Sequence, residues 1–266
     1  MDDDFPLTSI IRYLPEAEHP DAHAILMAVD GLRGIVGAFT GALSLFNFCQ
    51  HHIAERTRLH LEAMAKIPEP PHGQFGRGEY EAKSALREKY ERDTAHYRAW
   101  SYIAGREGAM RIYDLEIAMQ EIVSEIRIAA PTLHAMTDTK VLREARRSLS
   151  RALPDAKDIR DGTGHTQLEL STTDKKRERH GADLADPKNA NPHVTGSGTG
   201  TIITGMRVDT YTITIRKRIR SYRLNESSLN ALRDAKDMFV KGFNGAREYV
   251  NRQIESERAA RRRKTD

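Results

Sequence analysis

The feature that most constrains the fold is an apolar stripe near the start of the chain. Ile25, Val29, Leu32, Val36, Phe39, Leu43 and Phe46 recur at alternating spacings of four and three residues. That is the period of one helix face, and a stripe this long needs other helices packed along its length. A long helix is expected to start after Pro20, with Asp21 at its N-cap or in its first turn. It should fade before Ile67, because Pro68-Glu69-Pro70-Pro71-His72-Gly73 cannot continue it.

Beside the core stripe runs a second one, Gly31, Gly34, Ala38 and Gly41. Glycine costs about 1 kcal/mol in a helix interior, so small residues in register point to close packing or a dimer contact. The same pattern occurs where membrane helices meet. The apolar run from Gly34 to Phe48 covers about 15 residues. A membrane span needs roughly 20, and Asp30 and Arg33 border the run. The N-terminus opens on Asp2-Asp3-Asp4 rather than a basic region, so no signal peptide is expected. The single Cys49 excludes an intrachain disulfide and a cysteine-built zinc site, and its apolar neighbourhood predicts a buried, inert thiol. A cytoplasmic protein with no membrane association follows.

Further along, Glu79 opens a second long helical stretch to about Ile128, with Leu86, Tyr90, Tyr97, Trp100 and Ala104 on one stripe and Gly105 and Gly108 predicted to bend or divide it. Pro131 ends that stretch, and Thr137 or Asp138 caps a third helix from about Thr139 to Leu153. Arg143, Arg146, Arg147 and Arg151 lie on that helix. They suit either a nucleic-acid backbone or the wet face of an amphipathic helix.

After this helix comes Arg160-Asp161-Gly162-Thr163-Gly164-His165. A guanidinium stabilises phosphate charge through paired donors, and an imidazole with a pKa near neutrality gives or takes a proton. Five positions are about 140° round a helix, and two glycines weaken one, so a bent or frayed helix start is expected. Arg160, the polar Asp161 and His165, following the run Val141 to Leu153, resemble the Arg-x4-6-His signature of HEPN domains. The resemblance covers Asp21 to Leu170 and departs from the family at Gly162 and Gly164. It implies an all-helical module and a metal-independent ribonuclease of toxin or defence type, with arginine and histidine facing each other across a homodimer. Arg160 would then stabilise the phosphorane, His165 act as acid or base, and Asp161 orient one of them. Without the resemblance, Arg160 and His165 read as helix-capping residues facing solvent.

From Ser171 to Gly200 the chain turns polar and predicts a flexible linker. Thr210, Thr212 and Thr214 then alternate with Tyr211, Ile213 and Ile215, and the pattern resumes from Ile219 to Leu224. Two or three antiparallel strands are expected, with turns near Arg207 to Asp209 and Arg216 to Arg218. Arg216, Lys217, Arg218, Arg220 and Arg223 have no acid among them. This hairpin either tracks a phosphate backbone or guards an edge strand with charge. Asn225 caps a last helix carrying Leu229, Leu232, Phe239, Phe243, Ala246, Val250 and Ile254, followed by a basic tail.

The expected architecture is mainly α, a bundle of long helices with a small C-terminal β-hairpin plus helix. It divides into a HEPN-like bundle at 1–170, a linker at 171–200, the hairpin and helix packing on the bundle at 201–257 and a tail at 258–266. A net charge of +4 from 42 basic and 38 acidic residues marks a balanced surface that by itself names no partner. His19 and His23 lack a third ligand and straddle Pro20, so no metal site is expected. No phosphate-binding glycine loop, nucleophile elbow or dinucleotide fingerprint occurs, so no cofactor is expected. The expected partners are RNA, a second copy of the chain, and an antitoxin or other protein. A non-catalytic helical interaction or dimerisation protein is the alternative.

Overall fold

The computed structural model describes residues 7–69, 76–165, 181–191, 194, 198–199, 201 and 203–263. The chain is mainly α. Its elements are α1 (His19–Ala65), α2 (Arg77–Ala129), α3 (Pro131–Ala135), α4 (Thr139–Ala152), α5 (Ala156–His165), β1 (Thr204–Arg207), β2 (Thr210–Ile215), β3 (Arg218–Arg223), α6 (Glu226–Lys241) and α7 (Asn244–Arg262). They form two compact units interleaved along the sequence. One holds Met1–Phe39, Ala109–Gly164 and Asn225–Asp266, and the other Thr40–Gly108 and His165–Leu224.

Every residue of the predicted stripe from Ile25 to Phe46 is buried, so it is a core face. Contrary to the reading from its apolar run alone, α1 is long and apolar enough in one window to cross a membrane; one third of that window is buried.

In the first unit, the groove between the start of α1 and the end of α2 is lined by Ala24, Ile25 and Ala28 on one side and Ala118 and Ile122 on the other. Glu18 receives the backbone N–H of Thr132 at 3.1 Å and its hydroxyl at 2.6 Å, satisfying an orphan donor at the start of α3. Pro131 thus opens a short helix where the sequence predicted only an end. Asp138 caps α4, accepting from the backbone N–H groups of Lys140 and Val141 at 2.9 and 3.2 Å. The expected final helix is broken after Lys241, because Gly242 is pressed against the Leu142 side chain and gives its carbonyl to the Asp138 N–H at 2.8 Å. Asn225 caps the first part, α6, by accepting from Ser228 N at 3.1 Å.

In the second unit, α1 and α2 run antiparallel. Gln50 donates to Ser101 at 3.3 Å, Thr57 and Tyr90 share a 2.9 Å hydroxyl contact, and the His60 ring stacks on Tyr90 with centroids 4.7 Å apart. The sheet has the order β1-β2-β3, both pairs antiparallel, with Tyr211 opposite Met206 on one side and Tyr222 on the other. The two-residue connections fall where the strand periods predicted. β2 is buried at all six residues, so both faces of the sheet are covered.

One face rests on α2. A Cβ on Gly105 would lie 2.7 Å from Tyr211 Cδ2 and 2.9 Å from Met206 Sδ, and Tyr222 donates its hydroxyl to the Gly105 carbonyl. This corrects the reading of Gly105 and Gly108 as a helix break: α2 is continuous, and Gly105 admits the sheet by having no side chain.

The predicted linker at Ser171–Gly200 falls largely outside the described residues. Its part at 181–191 packs on the sheet. Asn189 is buried; its amide donates to Lys217 O at 3.2 Å and accepts from Ile219 N at 3.2 Å, occupying the outer edge of β3 as a strand would.

Candidate functional site

The segment from Arg160 to His165 occupies the second half of α5, not the start of a helix as expected. Its first turns are anchored by Ala156 and Ile159, both buried, and Leu153 just before them is buried too. The described side chains of the segment end at Asp161, and that of His165 lies outside them.

Arg160 is held from two directions. Its guanidinium carbon sits 4.5 Å from the centroid of the Tyr113 ring of α2, and its Nη1 donates to Asp161 Oδ1 at 3.3 Å. One third of the side chain reaches solvent, whereas Asp161 keeps 20%. Arg160 Nε is buried with no hydrogen-bond partner among the described residues. The planar fork is therefore fixed in orientation by an aromatic face and a carboxylate while retaining donors for an anion. A capping arginine facing solvent would have none of these constraints. Tyr113 belongs to a different helix, so no pattern local to Arg160 points to it.

The structure disperses the basic residues of the hairpin. Arg216 and Lys217 are exposed at the β2–β3 turn, with φ of 49° and 65°. Both central residues in the left-handed region make the tight turn that suits the strand twist, at a cost that asparagine and glycine avoid. Arg218 pairs with Asp186 at 3.6 Å, an acid from outside the hairpin. Arg220 is half-buried opposite Ile213, on the face that carries Tyr211. Of Arg216, Lys217, Arg218 and Arg220, the two at the turn are exposed, and Asp186 with Asn189 guards the edge.

On α4, Arg146 donates to Gln120 at 2.9 Å, Arg151 pairs with Glu144, and Ser150 donates to Glu116 at 3.1 Å. Arg143 and Arg147 are exposed and form no ion pair among the described residues.

Cys49 is fully buried. Burial pushes its thiol above the usual range, with a smaller opposing effect from its contact with Ser101, which leaves a poor nucleophile. Among the described residues no group of three His, Cys, Asp or Glu side chains is placed to hold a metal. His19 instead meets the Leu14 carbonyl at 3.0 Å.

No family model, curated protein or solved structure matches the chain. Any function must therefore be argued from its own residues.

Proposed function

We propose that the protein is a HEPN-like, metal-independent ribonuclease of the cytoplasm that works as a homodimer, in a toxin or defence setting with a protein partner. The observation that supports it is the restraint on Arg160. Its guanidinium lies over Tyr113 and is tied to Asp161, on the helix that also carries His165, and a third of the side chain is exposed.

In this reading Arg160 neutralises charge on the phosphorane, and a fixed fork does so without reorganising during the reaction. His165 removes the proton from the RNA 2′-hydroxyl or returns one to the leaving oxygen. Asp161 orients the guanidinium. Arg216 and Lys217, exposed at the hairpin turn, supply backbone contacts to the RNA.

The test is incubation of the full chain with labelled RNA in excess chelator. Cleavage is expected, and His165→Ala should lower it by about 10²- to 10⁴-fold with the fold intact. Arg160→Lys keeps the charge but loses the fork and should be severely impaired. Unchanged cleavage in His165→Ala, or none from the native chain at high concentration, overturns the proposal.

A second reading, a non-catalytic dimerisation or interaction protein, is favoured by one observation. Among the described residues, nothing lies within 4 Å of where a Cβ would sit on Gly31, Gly34, Gly37 or Gly41 of α1. Met27, Leu45 and Phe48 on the same helix are large, apolar and exposed. The absence of cleavage together with a stable dimer would select it.

A further inference from the structure

We infer that the face formed by α4 and the adjoining part of α2 is a binding track for the phosphodiester backbone of single-stranded RNA. The track stands apart from the cleavage reading, since it uses neither Arg160 nor His165. Its walls are Val123 of α2 and Arg143, Arg146, Arg147, Ser150 and Arg151 of α4, around an open cleft of about 610 Å³.

The arginines share one side of α4 because Leu142, Ala145 and Leu149 are buried on the other. At 1.5 Å of rise per residue, Arg143 to Arg151 spans about 12 Å. Successive phosphates of a stacked strand advance about 3.4 Å, so three or four of them fit that length.

The charge on this face is only partly spent. Glu144 reaches Arg151 and Glu116 reaches Ser150, while Arg143 and Arg147, one turn apart, are exposed with no ion pair among the described residues. Arg146 keeps one hand on Gln120 at 2.9 Å and lines the same cleft, where its other terminal donors can meet a phosphate.

A lipid surface fits less well. Membrane-binding basic helices bring exposed Trp, Phe or Leu alongside the charge; here the apolar side of α4 is in the core and, among the described residues, Val123 alone is apolar in the cleft wall. No aromatic ring is among the described residues of that wall, so the track should read the backbone and not the bases.

The experiment is fluorescence anisotropy with the full chain and a short 2′-O-methyl oligoribonucleotide, which has no free 2′-hydroxyl and so cannot be cut. Binding is therefore measured whether or not the protein is a ribonuclease. With three phosphates neutralised, the track alone should contribute about −2 to the log–log salt slope, about 20-fold in affinity between about 50 and about 200 mM salt. The double variant Arg143→Ala/Arg147→Ala, folded by circular dichroism, should have a slope shallower than the native one by about 1.4. Arg252→Ala/Arg258→Ala on α7 removes the same charge elsewhere and should keep the native slope. The inference is overturned by absent binding, by a native slope in the α4 variant, or by an equal loss in the α7 variant. It also fails if phosphatidylserine vesicles or polyglutamate compete for the track as well as unlabelled oligonucleotide does.

Discussion

Replacing Tyr113 by leucine tests the most specific contact at the candidate site, the aromatic ring beneath Arg160. The guanidinium lies 4.5 Å from the ring centroid on a side chain that is one third exposed, which places the cation–π attraction at about 1 kcal/mol. Leucine keeps most of the apolar contact of the half-buried ring, so the change of shape should cost less than about 1.5 kcal/mol. The sum is about 1–2 kcal/mol, or about 3–6 °C in Tm for a chain of this size. Urea denaturation measures it. The loss must also depend on Arg160: in a double-mutant cycle with Arg160→Met, the coupling should be about 1 kcal/mol. On the proposed catalytic reading, Tyr113→Leu should further lower RNA cleavage about 10-fold well below its melting temperature, because a loosened fork is misplaced when the charge develops. A coupling energy below about 0.3 kcal/mol, the usual error of additivity, would refute the claim that the ring holds the guanidinium.

Gly105→Ala should cost about 2–3 kcal/mol despite a better helix former, because the methyl meets Tyr211 and Met206 and lifts Tyr222 off its carbonyl; an unchanged urea midpoint would show that the sheet adapts freely. Val208→Asn should stabilise by about 1 kcal/mol, since a β-branched residue sits at φ 54° with its side chain in solvent, and a loss of stability would contradict this. Stability should fall as pH rises above the ordinary thiol range: the folded state keeps the Cys49 proton that the unfolded state has released, so the unfolded chain binds fewer protons. Cys49→Ala should lack that slope; if both proteins show it, the thiol is not its source. A dimer seated on the glycine face of α1 should dissociate in Gly34→Leu with the monomer still folded, since among the described residues nothing within 4 Å opposes a Cβ there; light scattering that finds a native monomer at all concentrations would refute the dimer.

Local rules recovered the elements and missed their arrangement. The stripe from Ile25 to Phe46, the alternation in β2, and the caps Asp138 and Asn225 follow from contacts within a few residues, where period and capping chemistry operate. The break at Gly242 and the continuity of α2 through Gly105 are set by groups distant in sequence: the Asp138 N–H with the Leu142 side chain in one case, and Tyr211, Met206 and Tyr222 in the other. A glycine reads the same whether it supplies flexibility or makes room. The interleaved units have the same origin, because α4 packs with α6 through side chains whose partners no local pattern names. Asn189 was hidden by its polar surroundings, although Asp186 before Pro187 is a recognisable start for the turn that carries it.

At the candidate site, the sequence supplied the residue types and the structure supplied the restraint. Arginine carries about 2 kcal/mol of rotamer entropy, and what an arginine does depends on when that is spent. In Arg160 it is spent on folding, against Tyr113 and Asp161, which suits a group that must meet one charge in one geometry. Arg143 and Arg147 are exposed and keep it, which suits attraction to a chain of phosphates in many registers. The two proposals therefore separate kinetically. Arg160→Lys should lower kcat and leave the salt slope of RNA binding in place, whereas Arg143→Ala/Arg147→Ala should flatten that slope and raise KM with little change in kcat. If Arg160→Met, which removes the charge, instead leaves kcat in place and flattens the slope, Arg160 belongs to the electrostatic track, and its contact with Tyr113 has no catalytic purpose.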